Sequence, residues 1–310
     1  MVSADVRPAR RAVMAMGAGT VLAAGLASAS DGTARAEAPG GGEGVVRELR
    51  RLEREHTARL GVFARDLATG RTVVHRAHER FPMCSVFKTL AAAAILRDLD
   101  RDGEFLARRI RYRLEYVEAS GYAPVTSRAE NVSGGMTVEA LCAAAVSESD
   151  NGAANLLLRE LGGPTAVTRF SRSLGDRTTR LDRWEPELNS AEPWRVTDTT
   201  SPRAIGRTYA RLVVGDALTR GDRERLTGWL VANTTNGARF GAGLPDDWVL
   251  ADKTGGGSDY GVANDVGVVR PPGRPPIVMA VLTTKPTLPE GPNDNALVAK
   301  TAALLADVLG

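Results

Sequence analysis

The hydrophobic pattern separates the chain into β-rich ends and a helical middle. Apolar residues recur at helical spacing between Val45 and Leu52, and two apolar runs, 62–64 and 72–74, then flank Thr69-Gly70. A glycine turn between two short apolar runs is typical of a β-hairpin. The N-terminal part therefore predicts a helix followed by a hairpin.

The middle of the chain, from Ser85 to Ala232, has an almost wholly helical period. Apolar spacing and cap-like residues predict helices at 88–99, 137–146, 155–161, 164–174, 201–214 and 223–231. One stretch, Leu181–Pro202, is rich in proline, acidic residues and tryptophan and has no usable period. We expect a long loop there, and a loop of this length in a compact domain is usually functional.

The last part of the chain returns to strand-like runs. These β-branched runs, at 248–251, 262–269 and 277–284, are separated by Gly and Pro and precede a closing helix at 295–308. The order predicts an α/β (α+β) fold, in which one antiparallel sheet is built from both terminal segments and flanked by helices, with an inserted all-α subdomain. We place the α/β part at about 44–80 and 232–310 and the helical part at about 81–231, with a binding cleft between them.

The N-terminus resembles an export signal. An arginine pair, Arg10-Arg11, precedes the apolar run 12–27. The leader-like segment ends near residues 34–36. The pair resembles a twin-arginine signal, and an ordinary secretory leader is the alternative. We expect residues 1–36 to be a signal peptide, residues 37–310 to be a single catalytic domain, and the mature protein to be secreted into the extracellular or periplasmic space. No membrane anchor is expected, because the apolar run is short and interrupted by glycines.

Composition and charge exclude several classes of function. The chain is 43% hydrophobic and 25% charged, as in ordinary globular proteins. Its net charge falls from +3 to +1 when the four arginines and two aspartates of the first 36 residues are set aside. Basic and aromatic residues do not interleave, so no nucleic-acid partner is expected. We expect a monomer whose two cysteines, Cys84 and Cys142, are buried free thiols, although an exported protein could also join them in a disulfide.

Lysine is rare in this chain. Only four of the 40 basic residues are lysines, namely Lys88, Lys253, Lys285 and Lys300. A guanidinium group stays protonated, whereas an ammonium group can lose its proton and act as a base. Two of the four, Lys88 and Lys253, lie in short motifs that carry further candidate chemistry.

The first motif is Ser85-x-x-Lys88. Residues three apart on a helix share a face, with Cβ atoms about 5–6 Å apart, so a neutral lysine could accept the serine proton. Histidine catalysis is set aside because all three histidines precede Ser85 and no Gly-x-Ser-x-Gly elbow occurs. The histidines also have no carboxylate ligand pattern around them, so we expect neither a zinc site nor any other cofactor.

The second motif is Ser149-Asp150-Asn151, which falls at a break between two predicted helices. By itself it is an ordinary helix cap. Together with Ser85, it supplies a hydroxyl group on Ser149 that could pass a proton to a leaving nitrogen. The Asn151 amide could hold a substrate carbonyl group.

The third motif is Lys253-Thr254-Gly255, which follows an apolar run and is expected on an edge strand. Such a strand can pair with an extended ligand, and Lys253 and Thr254 could bind a carboxylate. The alternative is a lysine that only protects a sheet edge. The backbone amide of Gly256, with that of Ser85, could form an oxyanion hole.

In order and spacing, these three motifs resemble those of the class A serine β-lactamases over nearly all of residues 40–310. The resemblance implies an acyl-enzyme on Ser85, formed with the help of Lys88 and Glu185. It further implies hydrolysis by a water held between Glu185 and Asn189, and thereby resistance to penicillins and cephalosporins. The resemblance leaves open whether Lys88 or Glu185 is the base in acylation.

The resemblance extends to residues outside the motifs. It implies that Arg183 and Asp198 pair across the loop and that Tyr122 walls the entrance of the cleft. Many family members carry a carboxylate-binding arginine on the strand after Lys-Thr-Gly, but the stretch 261–265 has none. Arg239 resembles the arginine that other members use instead.

Two other functions share parts of this pattern. A D-alanyl-D-alanine peptidase would use the same serine, lysine and strand motifs, and a β-lactam sensor domain would stay acylated as a signal. Both would lack a deacylating glutamate. The presence of Glu185 and Asn189 therefore favours hydrolysis over both alternatives.

Overall fold

An antiparallel sheet of five strands is built from both ends of the chain, as the pattern predicted. The structure is a computed structural model that describes residues 40–310, so the predicted signal peptide lies outside the described residues. In chain order the strands are β1 Arg59–Asp66, β2 Thr72–His75, β3 Phe81–Pro82, β4 Arg109–Ile110, β5 Met136–Thr137, β6 Thr199–Thr200, β7 Val249–Gly257, β8 Val262–Arg270 and β9 Ile277–Thr284. The main sheet has the order β2-β1-β9-β8-β7, which places β7 and its Lys-Thr-Gly motif at an edge as expected.

Helices fill the middle of the chain and cover both faces of the sheet. They are α1 Gly40–Glu55, α2 Phe87–Ala94, α3 Glu104–Ala107, α4 Leu114–Glu118, α5 Ala129–Gly134, α6 Val138–Ser147, α7 Asn151–Glu160, α8 Thr165–Ser173, α9 Pro202–Val213, α10 Arg220–Val231, α11 Phe240–Gly243 and α12 Asn295–Leu309. Short 3₁₀ turns occur at Cys84–Val86 and Glu187–Ser190, and one π-helical turn, Ile95–Leu99, continues α2. None of the helices within residues 40–310 is long and apolar enough to cross a bilayer.

The helical part is organised around α2. All eight residues of this alanine-rich helix are buried, because α6, α7, α8 and α10 pack around it. The helical part also contains the short pair β4–β5, and a second short pair joins β3 to β6. The helix that carries Lys88 is therefore held on all sides by apolar packing.

The sheet has a helical layer on each face. On one face, α1 and α12 contribute Leu49, Leu52, Leu297 and Leu305 to a core with the inward side chains of the strands. On the other face, α9 packs against β1, β8 and β9 and joins the sheet to the helical part. The cleft lies where the edge strand β7 meets the helical part.

Candidate active site

A cleft of about 370 Å³ lies between β7 and the helical part. Its walls are Ser85, Tyr122, Ser149, Asn151, Asn189, Thr235, Arg239, Thr254, Gly255, Gly256 and Asn293. Nine of these eleven residues were predicted from the sequence. The other three predicted residues, Lys88, Glu185 and Lys253, lie directly beneath the cleft surface and are buried.

Ser85 and Lys88 lie one turn apart at the start of the buried helix. Ser85 is in the 3₁₀ turn Cys84–Val86, and Lys88 follows in α2. The Lys88 ammonium donates to Ser149 O at 2.8 Å and to Asn151 Oδ1 at 2.5 Å, and lies 3.5 Å from Ser149 Oγ. Its hydrogen bonds among the described residues therefore reach across the cleft to the Ser149 motif, not along the helix to Ser85.

Lys88 and Glu185 form a buried ion pair. Lys88 Nζ lies 3.1 Å from Glu185 Oε1, and both side chains are fully buried. Apart from this contact, Oε1 accepts no hydrogen bond from the described chain. Burial lowers the pKa of Lys88 below its usual value, and the attraction of Glu185 opposes part of that shift.

The loop that carries Glu185 is held by side chains from two directions. Asn155 of α7 accepts from Glu185 N at 3.0 Å and donates to Glu185 O at 2.8 Å. Asn189 Nδ2 donates to Glu185 Oε2 at 2.5 Å. The predicted pair is confirmed, since Arg183 Nε lies 2.6 Å from Asp198 Oδ2. These contacts fix both the backbone and the carboxylate of Glu185.

The Ser149-Asp150-Asn151 segment joins α6 to α7, as expected from the break in the helical pattern. Asp150 caps α7 by accepting from Ala153 N at 2.7 Å, and it also accepts from the backbone amides of Val125 and Thr126. Asn151 N donates to Tyr122 O at 2.8 Å. One buried carboxylate therefore positions both this motif and the segment that carries Tyr122, whose side chain is 57% exposed at the edge of the cleft.

Strand β7 supplies a cationic wall. Lys253 is fully buried and its ammonium donates to Thr254 O at 3.1 Å. Burial, together with repulsion from Lys88, lowers the pKa of Lys253 to about 7. Arg239 Nη1 donates to Gly255 O and Asn264 O at 2.7 Å each, which holds the guanidinium group beside the strand. Thr254 shares a hydrogen bond with the Thr235 hydroxyl.

A pair of buried carboxyl groups lies behind this wall. Asp252 accepts from Asn233 Nδ2 at 3.0 Å and from Asn236 Nδ2 at 2.7 Å, and Asp265 accepts from Phe240 N at 3.1 Å. Burial raises the pKa of Asp252, and burial with the neighbouring carboxylate raises that of Asp265 well above its usual value. Through these contacts the pair holds the segment from Asn233 to Phe240, which carries Arg239.

Sequence reasoning missed several residues that build the site. Asn155, Asp252 and Asp265 position it, and Thr235 and Asn293 line it. The sequence did hold one indication of a role for Asn155. This residue is polar but lies in an otherwise apolar stretch, which forms the buried part of α7. Both cysteines are buried free thiols, as predicted.

Comparison with known proteins places this geometry in a family. The model of the β-lactamase enzyme family matches residues 44–309. The β-lactamase of Streptomyces lavendulae is 66% identical over the whole of both chains. The structure of the β-lactamase from Streptomyces albus G has a TM-score of 0.85 at 64% identity, covering 86% of this chain and all of that one. A reconstructed ancestral class A β-lactamase has a TM-score of 0.79 at 48% identity, covering 85% of this chain and 99% of that one.

The chain belongs to the class A serine β-lactamases. As a member it is a hydrolase that acts on β-lactam amides, and neither a peptidase nor a sensor is favoured. The predicted fold is confirmed, with its antiparallel sheet built from both ends of the chain and its helical insertion.

Proposed function

We propose that this class A β-lactamase hydrolyses penicillins and cephalosporins through an acyl-enzyme on Ser85 and so confers β-lactam resistance. The observation that carries this mechanism is the buried Glu185 carboxylate beside both Lys88 and Asn189. A carboxylate held in this way can serve as a base for water after the acyl-enzyme has formed.

In acylation, Ser85 Oγ attacks the lactam carbonyl carbon and the amide C–N bond breaks. The serine proton goes to Lys88 or to Glu185, and the Ser149 hydroxyl delivers a proton to the leaving nitrogen. Lys88 Nζ lies 3.5 Å from Ser149 Oγ, so a proton on the lysine can replace the one that Ser149 gives up. The lowered pKa of Lys88 favours the neutral amine that a base requires.

The backbone amides of Ser85 and Gly256 form the oxyanion hole in this mechanism. Both residues line the cleft, and Asn151 lies beside them to hold a substrate amide carbonyl. The substrate carboxylate binds at Lys253, Thr254 and Arg239. This division places the reacting carbonyl at the Ser85 turn and the charged end of the substrate along β7.

In deacylation, Glu185 takes a proton from a water whose oxygen attacks the ester carbon, the bond from that carbon to Ser85 Oγ breaks, and the proton passes back to Oγ. Asn189 donates to Oε2, and Oε1 is a buried acceptor without a hydrogen-bond partner in the described residues. The carboxylate therefore has one oxygen held in place and one lone-pair site available for a water proton. Asn189 orients the same water.

One experiment tests the mechanism. Turnover of a chromogenic cephalosporin and the intact mass of the protein are followed together for the wild type, Glu185→Ala and the matched control Glu187→Ala. Glu187 is exposed in the same loop. We expect Glu185→Ala to lose about 10²- to 10⁴-fold in turnover and to accumulate one acyl adduct on Ser85. A wild type that stays acylated without turnover would refute the hydrolase and support a sensor or peptidase.

We further propose that residues 1–36 are a signal peptide read by the twin-arginine route, and that residues 37–310 are secreted as a monomeric catalytic domain. The arginine pair ahead of a glycine-interrupted apolar run supports this. Replacing Arg10-Arg11 with lysines should stop export while activity appears inside the cell. Export that continues unchanged would assign the segment to an ordinary secretory leader, and sedimentation of the exported protein tests the monomer.

A further inference from the structure

A second cavity, of about 450 Å³, lies away from the active-site cleft and shares none of its lining residues. It is bounded by the exposed side of α9 and by the segment that follows α8. Four arginines line it, namely Arg177, Arg203, Arg207 and Arg211. Three of them recur every four residues along α9, so their guanidinium groups lie on one face of that helix.

These arginines have no carboxylate partners within ion-pair distance among the described residues. Burial, together with the neighbouring cations Arg207 and Arg65, lowers the pKa of Arg203. The carbon of its guanidinium group lies 5.2 Å from the centre of the Phe63 ring. Arg203 Nε is buried without a hydrogen-bond partner. Arg211 Nη1 donates to Leu174 O at 2.7 Å, and its other N–H groups have no partner among the described residues.

One acidic residue, Asp176, also lines the cavity, but its oxygens are already occupied. It accepts from the amides of Thr178 and Thr179 at 2.8 and 2.9 Å, from the Thr179 hydroxyl, and from Thr208 Oγ1 at 3.3 Å. It therefore fixes the backbone of the cavity wall. Four arginines and one aspartate leave the lining with a net charge of +3 when His78 is neutral.

Like charges four residues apart destabilise a helix, so this row of arginines costs stability unless an anion lies among them. A guanidinium group offers a planar fork of donors that matches phosphate oxygens in pairs. The N-terminus of α9 opens at the same cavity and adds the positive end of the helix dipole. Its first amides are already used, since Pro202 has no N–H, Arg203 N donates to Ala77 O and Ala204 N to Ser201 Oγ, so the arginine side chains supply the hydrogen bonds to the ligand. A ligand of charge near −3 with oxygens at two separate points fits this arrangement.

We propose that this cavity binds a small anion carrying two phosphate groups, as in a diphosphate. The guanidinium groups of Arg203 and Arg207 grip one phosphate beside the start of α9. Arg211, further along α9, and Arg177, on the facing segment that follows α8, bind the other. The site is separate from the active site and does not depend on β-lactam hydrolysis.

Inorganic pyrophosphate serves as the probe, with inorganic phosphate and citrate as comparison anions, in isothermal titration calorimetry of the wild type. The test variant is Arg177→Gln/Arg207→Gln, which changes two exposed side chains. The matched control is Arg50→Gln/Arg113→Gln, which removes the same charge from two exposed arginines elsewhere. We expect the test variant to weaken pyrophosphate binding at least about 100-fold, since each lost charged contact is worth about tenfold.

Chromogenic cephalosporin turnover, unchanged in all variants, shows that they fold. Shifts of the Ser201, Arg203 and Ala204 amide NMR signals on titration should locate the ligand at the start of α9. Arg203→Gln alone should weaken binding about tenfold. The proposal is overturned if pyrophosphate does not bind, if the control loses as much affinity as the test variant, or if citrate or single phosphate binds as tightly.

Discussion

The two walls of the cleft are held in place by different kinds of contact. Strand β7 pairs with β8 along its whole length, from Val249 opposite Arg270 to Gly257 opposite Val262, so backbone hydrogen bonds fix the strand wall. The opposite wall is the loop from Leu181 to Asp198, whose position depends on a few side chains such as Asn155. In the proposed mechanism the strand wall binds the substrate beside the Ser85 turn, and the loop wall supplies the base for deacylation. Substrate binding therefore depends on a backbone ladder, whereas deacylation depends on individual side chains.

The largest effect on the strand wall should come from adding a side chain at Gly255. A Cβ atom there would lie 2.8 Å from Met83 O and 3.2 Å from Val86 N, backbone atoms that flank the Ser85 turn. Gly255→Ala should displace the nucleophile and the oxyanion-hole amide, and lower the acylation rate about 10²- to 10³-fold in stopped-flow burst experiments. Gly257→Ala is the control, because its Cβ would meet nothing closer than 3.8 Å. Equal losses in both variants would contradict the close-approach argument.

The loop wall should be most sensitive at Asn155. Asn155→Ala removes both hydrogen bonds to the backbone of Glu185 and leaves Glu185 itself in the chain. A displacement of about 1 Å costs about 10²-fold, so deacylation should slow by that factor while acylation of Ser85 persists. Acyl-enzyme should then be visible by intact mass during turnover.

The control for that variant is Asn131→Ala, which removes a side-chain hydrogen bond to Val125 O in another part of the helical region. It should deacylate like the wild type. If Asn155→Ala slowed acylation and deacylation equally, the division of labour between the two walls would be wrong.

The same contrast explains what the sequence could and could not predict. The motif residues were found because short patterns carry them. The ladder, by contrast, was predicted only as far as Gly255 in β7, since the glycines that follow, Gly256 and Gly257, have low strand propensity. Pairing with β8 carries the strand through them. Long-range pairing overrides local preference at that point.

Side-chain partners were harder to predict than positions. Helical spacing suggested Ser85 as the partner of Lys88, but the ammonium is bound by Ser149, Asn151 and Glu185, which come from other elements. The clamp made by Asn155 joins a helix to a loop thirty residues away, and no local pattern encodes such a meeting. The hydrophobic pattern therefore predicted the frame of the site but not its internal contacts.

A smaller effect is expected at the ion pair between Arg183 and Asp198, which joins the two ends of the loop. Arg183→Gln breaks the 2.6 Å ion pair with Asp198, whose carboxylate is nearly fully buried. Removing one partner of a buried pair costs about 3–5 kcal/mol, but Arg183 is 26% exposed and Asp198 keeps two backbone donors. We expect a loss of about 2 kcal/mol and a drop in Tm of about 5 °C. Arg195→Gln, which breaks an exposed pair in the same loop, should change Tm by no more than about 1 °C.

The smallest effect should be a pH dependence set by the strand wall. The pKa of Lys253 is about 7, so its ammonium is lost as pH rises through that value. Since kcat/KM reports the free enzyme, it should fall above pH 7 by about tenfold in total for substrates with a carboxylate, the worth of one lost charged contact. The bound carboxylate favours the charged lysine and should move the fall in kcat to higher pH. Steady-state kinetics from pH 6 to 9 measure both profiles.

Lys253→Arg gives the decisive control, because a guanidinium group stays charged and should remove the alkaline fall in kcat/KM. The free energy of unfolding should change in the opposite direction, rising with pH while kcat/KM falls. The unfolded chain holds the Lys253 proton up to about pH 10.4, whereas the folded chain releases it near 7, so this group makes the fold more stable as pH rises between those values. If Lys253→Arg kept the wild-type fall in kcat/KM at alkaline pH, the titrating group would be another residue, and the strand wall would not set the pH profile.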